Sequence, residues 1–425
     1  MANPAEAFRS LQRDYGDVVA FGYGPYRYIG LFGAEANRLV LADRAECFAW
    51  HDAMKFLSVV VGDTALVVTD GDQHHRRRRL VQPAFGTRAI RASVDLMVDE
   101  VDRELDSWEV DSKLDAYAAM RRTIRHIAIR ALFGDSLGRR SHELGESLAD
   151  ALSFVNRPLP AQVHIDLPRS AWRRARQARD RADRIVNDEI ARRRRLPGGD
   201  RDLLDSLLAA TDDQGGPALD NREVRDQVVS LIAAGYDTTS GVAGWAVHEL
   251  LTNPGEWERA ADEVASVVGT DRLTAEHLSD LVHLDGVVRE TLRLWPAGAA
   301  IARRCISDVE FHGYHIPAGS MVLYSAYVTH RMADLWPDPD RFHPRRWADA
   351  DPDPYAFVAF GSGARRCLGF AFATQELKVL LAQLLRRTRL EALSQTARPT
   401  GLAALRPKGG VPVRVLNISP NTVRQ

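Results

Sequence analysis

The sequence predicts a mainly α-helical protein with a small β portion, folded as a single domain over residues 1–425. Segments with the apolar spacing of amphipathic helices fill most of the chain, whereas β-type runs occur only near its two ends. No internal repeat, low-complexity tract or shift in composition marks a linker. Hydrophobic residues make up 45% of the chain, which is enough to bury a sizeable core.

The individual elements follow from these patterns in chain order. β-type runs at residues 17–22 and 26–31 flank the turn signal Gly24-Pro25 and predict a hairpin. Helical patterns cover residues 34–41, 73–80, 88–108, 121–133, 169–195, 222–251 and 369–387. The central one, taken at its widest from 220 to 252, contains no proline and is longer than ~45 Å at 1.5 Å per residue. Residues 400–415 return to short β-like pieces.

Charge and cysteine content argue against several classes of protein. Lys and Arg number 56 against 57 Asp and Glu, so the chain lacks the overall charge of a nucleic-acid or anionic-membrane binder. Cys47, Cys305 and Cys367 lie too far apart in sequence for a disulfide framework or a paired-cysteine metal site. Residues 1–12 are polar, and no run reaches eighteen apolar residues. We therefore expect a cytoplasmic protein without a membrane anchor.

The strongest chemical signal is the segment Phe360-Gly-Ser-Gly363-Ala-Arg365-Arg-Cys367-Leu-Gly369. Glycines let the backbone turn sharply, and such a loop can direct amide N–H groups at one sulfur and so stabilise a thiolate, the form that binds metal. A buried cysteine in a glycine-rich turn is the alternative. The segment has every fixed position of the cysteine loop of the cytochrome P450 family, which the chain resembles here. The resemblance implies that Cys367 is the sulfur ligand of a haem iron and that Arg365 pairs with a haem propionate.

Glu290-Thr-Leu-Arg293 lies near the end of a helical pattern, where residues three apart share a face. Taken alone, such a pair is typical of a surface ion pair worth roughly 0.5 kcal/mol or less. The family has Glu-x-x-Arg at this distance before the cysteine loop and a further arginine between them, here Arg346 in the Pro-Arg-Arg-Trp segment at 344–347. The resemblance therefore implies a buried charged triad of Glu290, Arg293 and Arg346. Trp347 stands where many relatives have Phe.

The middle of the long helix, Ala234-Gly235-Tyr-Asp237-Thr238-Thr, matches the oxygen-binding helix of the same family. Thr238 can hydrogen-bond to the carbonyl of Ala234, a contact that bends helices, and Gly235 leaves room for a small ligand. A core helix with an internally bonded threonine is the alternative. The resemblance implies that Ala234 contacts the cofactor and that Asp237 and Thr238 act in catalysis.

Three further basic positions match the family. His74 and Arg78 are four residues apart, share one helical face and stand where relatives contact the haem propionates. Arg303 stands where relatives place another propionate-binding arginine. The arginine run 76–79 otherwise indicates a solvated face or a nucleic-acid patch, and the balanced net charge argues against nucleic acid. We interpret the second run, 192–195, as solvated surface.

The resemblance covers nearly the whole chain. It implies the triangular, mainly helical cytochrome P450 fold, with haem b (iron protoporphyrin IX) between the long helix and the cysteine loop. It also implies a monooxygenase that inserts one oxygen atom of O2 into an apolar small-molecule substrate. A flavin or iron–sulfur segment does not fit beside such a domain within 425 residues. We therefore expect electrons from NAD(P)H to arrive through a ferredoxin or flavodoxin with its reductase.

Two alternative functions use the same fold. One is a peroxygenase, which takes hydrogen peroxide and needs no electron partner. The other is a haem protein that senses or carries a diatomic gas without turnover. An acid and an alcohol side by side, Asp237 and Thr238, suit proton delivery to oxygen and so argue against both.

Overall fold

A computed structural model describes residues 4–24, 27–155, 162–196, 202–212, 216–401 and 404–420. Helices dominate the described residues, as the sequence patterns predict. In chain order they are α1 (Pro4–Tyr15), α2 (Ala34–Arg38), α3 (His51–Met54), α4 (Ser58–Val61), α5 (Gly71–Val81), α6 (Thr87–Ala92), α7 (Val94–Asp106), α8 (Ala116–Gly138), α9 (Ser141–Val155), α10 (Ala171–Arg195), α11 (Leu203–Ala209), α12 (Asn221–Thr252), α13 (Glu256–Val268), α14 (Ala275–Asp280), α15 (Val282–Leu294), α16 (Ala326–Thr329), α17 (Arg346–Asp349) and α18 (Phe370–Arg387).

The strands form small sheets. They are β1 (Val18–Phe21), β2 (Tyr28–Leu31), β3 (Phe48–Ala49), β4 (Lys113–Asp115), β5 (Ile301–Cys305), β6 (Val309–Phe311), β7 (Tyr314–Ile316), β8 (Met321–Tyr324), β9 (Thr388–Ala392), β10 (Arg398–Thr400), β11 (Arg406–Lys408) and β12 (Pro412–Ile418). The largest sheet has the order β1-β2-β8-β5-β3, in which only the β2–β8 pair is parallel. β4, β12 and β9 form a second, antiparallel sheet.

Two compact units can be distinguished. The first comprises Met1–Ala49, Ile90–Thr123 and Thr238–Gln425, and the second comprises Trp50–Ala89 and Ile124–Asp237. The first unit contains all the strands named above, together with α18, which packs against α7, α13 and α15. Its hydrophobic core packs against the five-stranded sheet and includes Leu31, Val40, Val322 and Tyr324.

In the second unit α9 packs against α10, and the two helices bury their apolar stripes. We expected the arginine run at the end of α10 to be solvated surface, and for Arg193 this prediction is wrong. Arg193 is only 3% exposed, and its guanidinium pairs with Glu189 at 2.7 Å and with Asp202 at 2.7 Å. It also donates to the carbonyl oxygen of Phe133 at 2.8 Å. A buried charge needs such partners, and the run supplies the inward arginine that meets them.

Most predicted elements are confirmed within a few residues, including the hairpin β1–β2 and helices α5, α10, α12 and α18. The predicted helix 88–108 is instead two helices, because Ser93 bonds to the carbonyl of Ile90 rather than continuing the helical pattern. The predicted helix 121–133 is longer, and it breaks at Gly134, which has φ 74°. Among the described residues, no helix combines the length and the apolar character needed to cross a membrane.

Candidate functional site

The cysteine turn, residues 358–367, presents Cys367 to solvent three residues before α18 begins. The amide N–H of Cys367 donates to the carbonyl oxygen of Phe360 at 2.8 Å and closes the turn. Gly361 and Gly363 have φ of 65° and 62°, a region that favours glycine. A Cβ at Gly363 would also lie 2.4 Å from a neighbouring carbonyl oxygen. The turn therefore requires these glycines and leaves the thiol accessible.

A fully buried carboxylate supports the same unit. Glu290 is 0% exposed and accepts two hydrogen bonds from one edge of the Arg293 guanidinium, from Nε at 3.0 Å and from Nη2 at 2.9 Å. Arg346 Nε donates to it at 2.9 Å, and the backbone N–H of His343 at 3.0 Å. The triad expected from the sequence is therefore present. The indole N–H of Trp347 donates to the same carboxylate at 2.9 Å, a bond that the usual Phe cannot make.

The arginines expected to bind propionates in the first unit are Arg303 and Arg365. Arg303, on β5, is buried and donates to the hydroxyl oxygen of Tyr324 at 3.3 Å. Arg304 is next along the strand and donates instead to the carbonyl of Gly319 at 2.8 Å, because successive strand residues point to opposite faces. This alternation assigns the inward position to Arg303. Arg365 is half-buried in the short turn two residues before the cysteine.

The middle of α12 is opened on one side. The flanking turns of this helix are almost continuously buried, but Ala234 is exposed and Gly235, Asp237 and Thr238 are half-exposed. Leu231 extends the same strip by one turn. A Cβ added at Gly235 would meet nothing within 4 Å. The predicted oxygen-binding motif therefore coincides with the stretch where an otherwise buried helix has free space beside it.

In the second unit, α5 carries His74 and Arg78, with His74 buried and Arg78 half-buried. The neighbouring arginines have a different task. Arg77 is 5% exposed and pairs with Glu223 at 2.6 Å, and Arg76 pairs with the same carboxylate. The run is therefore not uniformly solvated: Glu223 at the start of α12 pairs with Arg76 and Arg77, whereas Arg79 is exposed.

Sequence reasoning missed one residue of this region, His330. It lies directly after α16, is fully buried and contacts both the Arg293 backbone and the segment that leads into the cysteine turn. The signal was weak but present. His330 is a polar residue two positions after the short apolar run 326–328, and an imidazole buried beside such a run needs hydrogen-bond partners.

With the fold and site described, comparison with known proteins is specific. The family model for cytochrome P450 matches residues 1–411. The chain is 41% identical to cytochrome P450 139 of Mycobacterium tuberculosis, over 98% of both chains. It is 31% identical to cyclooctat-9-en-7-ol 5-monooxygenase of Streptomyces melanosporofaciens, over 90% of this chain and 84% of the relative. Among solved structures, the retinoic-acid-bound cyanobacterial CYP120A1 superposes with a TM-score of 0.88 and 27% identity, covering 96% and 94% of the two chains.

The chain belongs to the cytochrome P450 family. It is a haem-thiolate monooxygenase that uses O2, a small-molecule substrate and electrons from NAD(P)H delivered by partner proteins.

The residues present fit a haem group by their chemistry. The first unit offers an accessible thiol at Cys367 and two guanidinium groups, and guanidinium pairs well with the carboxylates that haem carries. The second unit offers a histidine and an arginine on one face of α5.

Proposed function

We propose that the chain holds haem b through Cys367 and inserts one oxygen atom of O2 into an apolar substrate. One observation carries this proposal. An exposed cysteine stands on a turn that needs its glycines, and the same unit contains a fully buried carboxylate with two arginines. Burying three charges is costly even when they are paired, so we take the triad as a sign that this part of the unit must stay fixed.

The other site residues have roles in the same proposal. Arg303 and Arg365, with His74 and Arg78, hold the propionates through charge-assisted hydrogen bonds. Haem, when bound, supplies the reductive activation of dioxygen. Ala234 and Gly235 leave the backbone of α12 open at this point, which admits a flat group or a small molecule.

Proton delivery is the task of the acid–alcohol pair. Asp237 is half-exposed, and Thr238, the next residue of α12, is half-exposed as well. A positioned hydroxyl that is resupplied by a nearby acid is suited to protonating oxygen. A peroxygenase or a gas sensor has little use for such a pair.

Electrons come, in this proposal, from a ferredoxin or flavodoxin with its reductase in the cytoplasm, where reduced nicotinamide is made. Such carriers are typically acidic, and exposed arginines accelerate their encounter. Arg366, beside the cysteine, and Arg79 on α5 are exposed. Arg76 and Arg77 are less suitable, because Glu223 already pairs with both.

The substrate we propose is mainly hydrocarbon. The strip of α12 that leads to Thr238 carries Leu231, Ala234 and Gly235, with no charge before Asp237. The compounds named for two similar proteins, cyclooctat-9-en-7-ol and retinoic acid, are an alcohol and a carboxylic acid on hydrocarbon frameworks. Titrating such compounds and following the haem spin-state change identifies the class that binds.

The test of the proposal is Cys367→Ser. A serine hydroxyl stays protonated at neutral pH and is a poor ligand for iron. The reduced carbon monoxide complex of the wild type should show the red-shifted absorption band of a thiolate-ligated haem, and the Ser variant should lose it. A wild type without that band, or a Ser variant that keeps it, would show that Cys367 is not the ligand.

A further inference from the structure

The imidazole of His330 joins two backbone groups that belong to different parts of the first unit. Its Nδ1 lies 2.9 Å from the carbonyl oxygen of Arg293, at the end of α15. The amide nitrogen of Val358 lies 2.9 Å from its Nε2. A carbonyl can only accept and an amide N–H can only donate. The ring therefore carries its proton on Nδ1 and none on Nε2, which is a single neutral tautomer.

Both ends of this bridge lead to the site. Arg293, held by Glu290, donates its Nη1 to the backbone oxygen of His330 at 2.7 Å. On the other side, Val358 begins the cysteine turn, where its carbonyl accepts from Gly361 N–H at 2.9 Å. The turn then closes through the bond from Cys367 to Phe360. Backbone hydrogen bonds and a few residues are all that separate His330 from the cysteine.

Packing holds the ring in this orientation. Phe357 stacks on it with ring centroids 5.2 Å apart and an interplanar angle of 26°, and Trp336 meets it edge-on at 6.3 Å. His330 is 0% exposed. The ring can therefore neither rotate into solvent nor exchange its two partners for water.

We infer that His330 is a positioning residue for Cys367. The neutral ring of His330 fixes the amino-terminal side of the cysteine turn, because its Nε2 accepts the hydrogen bond from Val358 N–H. This inference rests on the proposed role of Cys367 as the haem ligand. Without this acceptor, Val358 N–H would be buried without a hydrogen-bond partner. The resulting free-energy cost would favour a displaced conformation of the turn. A core histidine without this role would contribute only to stability.

The charged groups around the ring oppose its protonation. Arg293 on α15 and Arg331, which follows His330, are cations. Residues 355–361, which precede and begin the cysteine turn, include no charged side chain. Burial, together with these two arginines, lowers the pKa of His330 to about 3. The hydrogen bond to the Arg293 carbonyl acts in the opposite direction but is outweighed. A proton on Nε2 would also remove the acceptor for Val358 N–H.

Two variants separate positioning from packing. In His330→Gln the amide oxygen can reach the place of Nε2 and accept from Val358. In His330→Asn the shorter side chain can donate to the Arg293 carbonyl but leaves Val358 unpartnered. His248→Asn is the control, because His248 is a buried histidine of the same unit that packs on Trp245 and has no bond to the turn.

The readout is the ratio of the red-shifted to the normal band of the reduced carbon monoxide complex, recorded with haem content and melting temperature. We expect this ratio to be about fivefold lower in the Asn variant than in the Gln variant. This is the change in equilibrium constant expected when one hydrogen bond is lost. His248→Asn should lower the melting temperature without changing the ratio. Equal ratios in the Gln and Asn variants would overturn the inference. A wild type that lacks the band would overturn the proposed function and the inference with it.

Acid titration of the wild type and the Gln variant keeps the test independent of whether His330→Asn folds. Because the pKa is lowered in the closed turn, the open state takes up the proton as pH falls. Closure is thus fully stabilised above about pH 6.5 and weakens toward pH 3. This group should therefore lower the closed-to-open ratio progressively as pH falls below about 6.5. The Gln variant lacks that loss, so identical acid profiles for the two proteins would overturn the inference.

Discussion

Replacing Glu290 by Ala tests the buried triad at its centre. The carboxylate accepts five hydrogen bonds: two from Arg293, and one each from Arg346, Trp347 and the His343 backbone. Its removal leaves the Arg293 guanidinium, which is 0% exposed, with three backbone carbonyls but no counter-charge. Breaking a buried ion pair on one side costs roughly 3–5 kcal/mol of unfolding free energy.

This cost can be converted into a melting temperature. An unfolding entropy of ~2.1 cal/mol/K per residue, applied to 425 residues in one transition, gives a decrease of roughly 3–6 °C. The assay is thermal unfolding of purified protein, followed by circular dichroism, with haem content measured by absorbance. We expect haem content to fall as well, while the surviving holoprotein turns over at a similar rate.

The chain offers a matched control. Glu143 pairs with Arg140 at 2.9 Å with the same three-residue spacing, but the two side chains are 54% and 42% exposed. Such a pair is worth roughly 0.5 kcal/mol or less, so Glu143→Ala should change the melting temperature by less than about 1 °C. If Glu290→Ala melts no lower than Glu143→Ala and keeps its haem, the reasoning about the buried triad is refuted.

The remaining predictions concern the other site residues. Thr238→Ala should still bind haem, substrate and oxygen but divert electrons into hydrogen peroxide, whereas Asp237→Asn should slow turnover because an amide cannot supply the proton. Product formed per reduced nicotinamide consumed, with peroxide assayed alongside, measures both, and unchanged coupling and rate would remove the pair from the mechanism. Arg78→Ala should weaken haem retention in a transfer assay, whereas Arg79→Ala, on an exposed position of the same helix, should not. Equal loss from both would contradict the assigned register of α5.

Local sequence pattern determined several features of this protein. The helical period places Glu290 and Arg293 on one face of α15, and the absence of proline allows α12 to run for 32 residues. The glycines of the cysteine turn adopt positive φ where the motif has them. These features depend on neighbours within a few residues, so a single sequence contains the information needed to predict them.

Other features depend on residues that are distant in sequence. Whether an arginine in a run is buried was decided by Glu223 for Arg77, 146 residues away, and by Asp202 and Asp205 for Arg193. The same holds for α1, a helix that the sequence patterns did not include. Its Glu6 accepts a hydrogen bond from the hydroxyl of Tyr327, which is 321 residues away in sequence.

The cysteine motif itself was evident from the sequence, but the contact of His330 with the cysteine turn was not. Cys367 and its glycines form a continuous segment, so their chemistry could be predicted directly. The ring of His330 bonds to Arg293, 37 residues before it, and to Val358, 28 residues after it, with no local pattern to connect the three. Only the tertiary structure brings these groups within hydrogen-bond distance, because burial forces each polar group to find whichever partner the folded chain places beside it.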